Sequence, residues 1–239
     1  KTYDYMLKTS VAEGGELRRI LAEKGGLLLR VAQKEPPGER GKYIDQMNEI
    51  AEKLVWVQDL WFGKGVILMA YAEQLRGNIA KADDFIETYK DTLLAIDKVL
   101  AEEEAATGNP IRRLSPLAEC RHLVGTIKMD EAERLLKSGG DKEKVKELLL
   151  GRKEGRKTIP GAVQHFVNVF INYPSTTWAP EAAQRYERAK EILKKEFDIS
   201  LSIPGVTPAK MEAVRAEQFQ QARLLYTQQQ FKEAAEAYV

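Results

Sequence analysis

The chain has 239 residues, 44% hydrophobic, 31% charged and 8% aromatic, so it can bury the core of one large or two small domains and is not a disordered polymer. Lys and Arg number 37 against 36 Asp and Glu; the net charge of +1 creates no global field for phosphate backbones or anionic membrane, and no nucleic-acid partner is expected. One cysteine, Cys120, and two histidines, His122 and His165, offer too little for a disulfide or a multi-cysteine or histidine-based metal centre, so neither metal nor cofactor is expected.

The opening residues KTYDYMLKTS contain no apolar run of the signal-peptide kind and no initial methionine, and they read as a processed boundary. Apolar residues then recur at helical spacing along most of the chain, while the period-two alternation of β-branched residues is nearly absent. The expected class is all-α. Gly and Pro clusters punctuate it and predict helices near 15–34, 42–76 with a break or kink at Gly63-Lys64-Gly65, 78–105, 116–137, 141–156, 161–172, 180–196, 208–227 and 230–239. Three helices are expected to open on a proline, whose missing N–H is not needed in a first turn: Pro116, Pro180 and Pro208, with Ser115 and Thr207 as N-caps.

In the segment from Ile44, one stripe runs through Ile44, Met47, Ala51 and Leu54 and a second through Ile50, Val57, Leu60 and Trp61. Two stripes imply two neighbours, as in a bundle or a solenoid. The most apolar window, Leu54–Ala72, is interrupted by Gln58, Asp59 and Lys64, and its unbroken part from Val66 to Ala72 falls far short of the roughly 20 residues of a membrane span, so no integral membrane segment is expected.

The pattern Ala162-x-x-x-Phe166-x-x-Val169-x-x-x-x-Pro174 places a small residue, a large aromatic and a closing proline along one helix and its exit. It resembles the second helix of a tetratricopeptide repeat (TPR), in which the small residue permits close approach of the paired helices and the aromatic fills the gap to the next repeat. A second likeness is Ala222-x-x-Leu225 followed by Ala234-x-x-x-Tyr238, and a weaker one is Ala70 followed by Ala82, Ile86 and Tyr89. The stretch from Phe166 to Leu193, with Phe166, Phe170, Tyr173, Pro174 and Ser175 before Ala179, Ala182 and Ala183, looks more specifically like TPR proteins of the bacterial cell envelope. The Trp, Leu and Gly of the TPR first helix are not matched in order, and the repeat anchors are not spaced by multiples of the family's unit. The resemblance implies an irregular, right-handed TPR-like α-solenoid over 1–239, with a sub-boundary near 106–115, placed in the periplasm or envelope rather than the cytoplasm. The chain ends within an expected second helix, so it reads as a fragment of a longer array or as a protein whose open end is covered, by self-association among other routes.

Several groups suggest chemistry and are better read otherwise. Cys120 and His122, two apart on a helix, point about 200° apart and cannot form a dyad; a core thiol and a surface histidine are expected. His165 is expected to pack or face solvent. Adjacent carboxylates such as Glu102-Glu103-Glu104 splay outward, and Gly63-Lys64-Gly65 lacks the spacing of a phosphate-binding loop. Trp56 and Trp61 fit helix packing, whereas Trp178, between Pro174 and Pro180, is either a lid over the next helix pair or a partner anchor. The run Arg152, Lys153, Glu154, Gly155, Arg156, Lys157 is the one local charge asymmetry, either a solvated linker or a contact for an acidic partner or phosphate. The candidate partner-binding residues are therefore Arg152, Lys153, Arg156, Lys157 and Trp178. The functional expectation is a non-enzymatic scaffold for another protein or peptide, with an all-α enzyme or a self-assembling helical domain as the alternatives.

Overall fold

The computed structural model describes residues 14–108 and 111–202, with isolated positions between 212 and 227. The described residues form a predominantly helical protein: α1 (Gly15–Lys34), α2 (Gly41–Leu54), α3 (Leu60–Leu75), α4 (Ile79–Thr88), α5 (Lys90–Thr107), a 3-10 turn (Ile111–Leu114), α6 (Pro116–Lys137), α7 (Lys142–Leu150), strands β1 (Gly151–Glu154) and β2 (Lys157–Pro160), α8 (Ala162–Asn172) and α9 (Ala179–Phe197). None of these helices is long and apolar enough to cross a membrane. The expected helices over 208–227 and 230–239, with Pro208, Thr207 and the repeat at Ala222 and Ala234, lie outside the described residues apart from scattered positions. The chain divides into two compact units, Lys1–Glu102 and Glu103–Val239.

In the first unit, α1, α2 and α3 form an up-down-up triplet. Leu54 and Ala51 of α2 meet Gly65 of α3, and Asp45 near the start of α2 pairs with Arg76 after the end of α3, so these two run antiparallel. Gly25 of α1 sits against Leu68 of α3 and Ile50 of α2. The first stripe expected from Ile44 is buried, with Ile44, Met47, Ala51 and Leu54 and also Ile50 lying between α1 and α3, but the second does not form one face: Val57 lies outside any helix and is exposed, and Leu60 and Trp61 belong to α3.

The break in this region differs from expectation. Helix α2 stops at Leu54, and α3 starts after Asp59, whose carboxylate accepts from the Trp61 and Phe62 N–H groups at 2.9 and 3.0 Å. Gly63-Lys64-Gly65 lies inside α3 without ending it. Gly65 instead permits the close crossing, since a Cβ there would stand 2.9 Å from Leu54 Cβ and 3.0 Å from the Ala51 carbonyl oxygen. An N-cap aspartate is a start signal, but the apolar residues on both sides of it mask the interruption. The expected helix over 78–105 is likewise divided, at Tyr89, whose ring meets Phe62 edge-on at 5.4 Å.

Arg18 of α1 closes the α2–α3 corner. Its guanidinium donates to the carbonyl oxygens of Lys53 (3.3 Å), Leu54 (2.7 Å) and Val57 (3.0 Å) and to both Asp59 oxygens at 2.7 Å. One side chain thus satisfies carbonyls left open at the end of α2 and anchors the cap of α3. Trp56, expected in helix packing, projects from this corner with 84% of its surface exposed, in the turn over residues 55–58 that belongs to no helix. Val57 is also exposed, whereas Trp61 packs on the core.

The second unit is built around α6. Ser115 caps it as expected, its hydroxyl accepting from the Ala118 N–H, with Pro116 in the first turn. Cys120 is buried, in agreement with expectation, but His122 is only 6% exposed and is not a surface residue. Helix α7 folds back on α6 through the turn at residues 138–141. Helix α8 continues in the same direction: Lys128 of α6 donates to the Pro160 carbonyl at 2.8 Å, Gly125 packs on Phe166 and His165, and Arg121 donates to Asn168. Contacts that climb along α6 therefore descend toward the start of α8. Helices α7 and α8 together act as one antiparallel partner of α6, interrupted by the residues between them. Helix α9 then runs parallel to α6, since Glu181, Arg185 and Arg188 face His122, Asp130 and Glu133 in the same order.

Candidate functional site

The interruption between α7 and α8 is an antiparallel β-hairpin, pairing Gly151 with Pro160, Arg152 with Ile159, Lys153 with Thr158 and Glu154 with Lys157. The helix expected over 141–156 ends at Leu150, and the basic run is neither helix nor irregular linker. Gly155 and Arg156 make a two-residue turn with φ +60° at Gly155 and no positive φ at Arg156, the pattern of a type II′ hairpin turn. The β-branched Thr158 and Ile159 supply the returning strand.

Glycines fix the base of the hairpin. A Cβ on Gly151, where φ is +83°, would stand 2.3 Å from the Ile159 carbonyl oxygen, and one on Gly161 would stand 2.3 Å from the Gly151 nitrogen and 2.4 Å from the Leu149 oxygen. The two backbones can touch only without side chains. Gln164 bridges the gap, its amide donating to the Leu150 carbonyl at 2.7 Å and accepting from the Gly161 N–H at 2.9 Å. The ends of α7 and α8 are thereby stitched together, and the hairpin stands out from the joint.

Of the expected binding residues, Arg152 is committed locally: its Nε donates to Glu154 at 2.8 Å, and Glu147 of α7 lies 3.9 Å away. Lys153 and Arg156 are exposed and make no ion pair among the described residues. Lys157 stands opposite Glu154 in the register. Trp178 lies apart from them, half-buried against the core formed by α6, α7, α8 and α9.

A second feature was not anticipated. The C-terminal half of α6 and the parallel α9 flank a groove of about 550 Å³. Leu136 and Ile192 supply its apolar lining, and Glu133, Glu191 and Glu196 together with Lys137, Arg188, Lys194 and Lys195 place both signs of charge around it. Arg188 donates to Glu133 across it at 3.1 Å. Only the tertiary pairing of helices more than forty residues apart creates this groove, and neither segment carries a motif that announces it.

The titratable groups of this unit lean toward structure. Burial pushes the His122 imidazole below its ordinary value, opposed by the negative charge of Glu181 and assisted by Arg185. Its Nε2 lies 3.5 Å from a Glu181 oxygen without a hydrogen bond, while Glu181 and Asp130 accept from Arg185 at 2.8 and 3.0 Å. Cys120 is buried, and His165 is half-buried beside Phe166. No group of three or more potential metal ligands occurs among the described residues.

No protein-family model matches the chain, and neither curated proteins nor solved structures provide a match.

Proposed function

We propose that this protein is a non-enzymatic helical scaffold that holds another protein or peptide. The observation that carries the reading is the α6–α9 groove: two parallel helices, joined by the Arg185–Asp130 and Arg188–Glu133 ion pairs, present an apolar floor with charges of both signs along the rim. Shape and local polarity of this kind suit a peptide helix or extended segment, held by side chains on rigid elements. Arg185, Arg188 and Lys194 along this face are engaged in ion pairs.

A TPR-like arrangement is the architectural form of the same proposal. Its support is the Ala162 and Phe166 pair buried against α6, the exit at Tyr173 and Pro174, and a following helix parallel to α6, as the first helices of successive repeats are. In that arrangement the β-hairpin is an insertion within the second helix of a repeat, which lengthens the spacing from Ala82 to Ala162. A right-handed solenoid and a bacterial-envelope location follow from the resemblance carried by Phe166–Leu193.

The test is site-specific photo-crosslinking on the full chain in its native cell, with the reactive residue at Lys195 on the rim and a control at Lys98, an exposed position in the first unit. One discrete crosslinked partner from Lys195 and none from Lys98 is the expected result. Identical products from both positions, or none from Lys195 under conditions where the probe is shown to be active, refute the scaffold reading.

A further inference from the structure

We propose that the β1–β2 hairpin is a separate docking element for an acidic, extended segment of a partner protein. The proposal rests on the scaffold reading and assigns it a second site, distinct from the α6–α9 groove.

Three observations converge on the hairpin. The first is its construction. Ten residues leave a helix pair and return to the same point, and the point of return is closed by glycine-only backbone contact and by the Gln164 bridge. A solvated linker has no need of such closure, whereas a projecting element with a fixed root gains aim from it.

The second is charge. On α9 the cations Arg185, Arg188, Lys190 and Lys194 each have a carboxylate within 3.2 Å. On the hairpin the one acidic residue, Glu154, is taken by Arg152, which is itself held between Glu154 and Glu147. This leaves Lys153 and Arg156 exposed and without an ion pair among the described residues. The chain's net charge is +1, so this local excess is not the overflow of a basic protein. Charge complementarity selects an acidic occupant.

The third is backbone. In a two-residue hairpin the pair flanking the turn, Glu154 and Lys157, exchanges hydrogen bonds, and the next pair, Lys153 and Thr158, directs N–H and C=O outward. On the β2 side the outward positions are Thr158 and Pro160, and Pro160 has no N–H and its carbonyl already accepts from Lys128, so that edge offers Thr158 alone and no cation beside it. The β1 side carries Lys153, whose cation and outward peptide group lie at the same position. An extended segment can pair there and bring alternate carboxylates to Lys153 and Arg156. Four residues of strand supply little edge pairing, so the charge contacts dominate and binding depends strongly on salt.

The experiment uses the full chain and a fluorescein-labelled peptide of alternating Glu and Thr, followed by fluorescence anisotropy. Wild type binds it, and affinity falls about tenfold between about 50 mM and about 200 mM NaCl. The K153E/R156E variant changes only exposed side chains, keeps the wild-type circular dichroism, and loses binding at least about tenfold. A K137E/K195E variant of the groove leaves peptide binding unchanged. Equal binding by wild type and K153E/R156E, or none by wild type at low salt, overturns the proposal. Tighter binding to a single-stranded oligonucleotide of matched charge, or to phosphatidylserine vesicles, overturns the protein-segment assignment. Loss of hairpin binding with groove crosslinking retained removes this inference and leaves the scaffold reading intact; the reverse result removes the groove and leaves the hairpin.

Discussion

Arg18 offers the sharpest test of the first unit. Substituting Ala removes five hydrogen bonds, of which two, to the Lys53 and Val57 carbonyls, lie at an exposed rim where water replaces the donor. The other three, to Leu54 and to both Asp59 oxygens, are half-buried and charge-assisted. At roughly 1 kcal/mol each after partial rehydration, their loss costs about 2–4 kcal/mol. In a unit of about a hundred residues that lowers the midpoint of the first-unit transition by about 8–32 °C. Lys at position 18 keeps the charge but has no planar fork, and it recovers less than half of the loss. Asp59→Asn retains an N-cap acceptor while removing the ion pair, so a double-mutant cycle isolates the Arg18–Asp59 coupling at about 1–2 kcal/mol. Urea unfolding followed by tryptophan fluorescence reads the change, since Trp61 packs beside this corner. An Arg18→Ala loss under about 0.5 kcal/mol, or a coupling of zero, refutes the corner-lock argument.

Gly161→Ala forces a Cβ into the Gly151 backbone and should cost about 3 kcal/mol or more, with amide exchange accelerating at Arg152–Ile159 before the rest of α8; unchanged exchange there contradicts the described hairpin root. Glu73 is nearly buried, and burial by itself would raise its pKa, but hydrogen bonds from Asn78, Lys81 and Arg76 hold it below the ordinary 4.5. Its contribution to stability is therefore full above pH 4.5 and lost as pH falls through the lower folded value; Glu73→Gln should flatten that acid limb of a stability-versus-pH curve, and an unaltered limb rejects the assignment. His122 is kept neutral by burial, so the unfolded chain takes up its proton first and stability declines as pH drops below 6.5, a slope that His122→Gln should reduce in urea titrations at stepped pH. Trp56→Ser should leave stability within about 0.5 kcal/mol and remove the emission most accessible to acrylamide quenching, whereas a larger loss would mean that Trp56 packs after all.

Much of the helical class was legible because it rests on local rules. Ser115 before Pro116, the spacing of Ile44, Met47, Ala51 and Leu54, and the Tyr173-Pro174 exit all act within a few residues, and each occurs where its pattern indicates. Local masking caused the misplaced break in α2–α3: Asp59 is an ordinary cap, but apolar residues on both sides continue the helical period across it. The hairpin failed for a related reason. Gly155 with Thr158 and Ile159 is a turn-and-strand signal, yet it is so short that the pattern of the preceding helix extends across it.

The functional surfaces divide along the same line. Sequence by itself determined the helical class, the charge balance and the cluster Arg152, Lys153, Arg156 and Lys157, because composition and adjacency are properties of the chain alone. Only the tertiary structure decided which of those cations find partners: Arg152 is held by Glu147 and Glu154, while Lys153 and Arg156 are not engaged. It also decided that α9 runs parallel to α6 and opens a groove between Leu136 and Ile192, that His122 is buried, and that Trp56 is exposed. Each of these depends on which element packs opposite, and a helical period specifies how wide an apolar face is without naming the surface that will cover it.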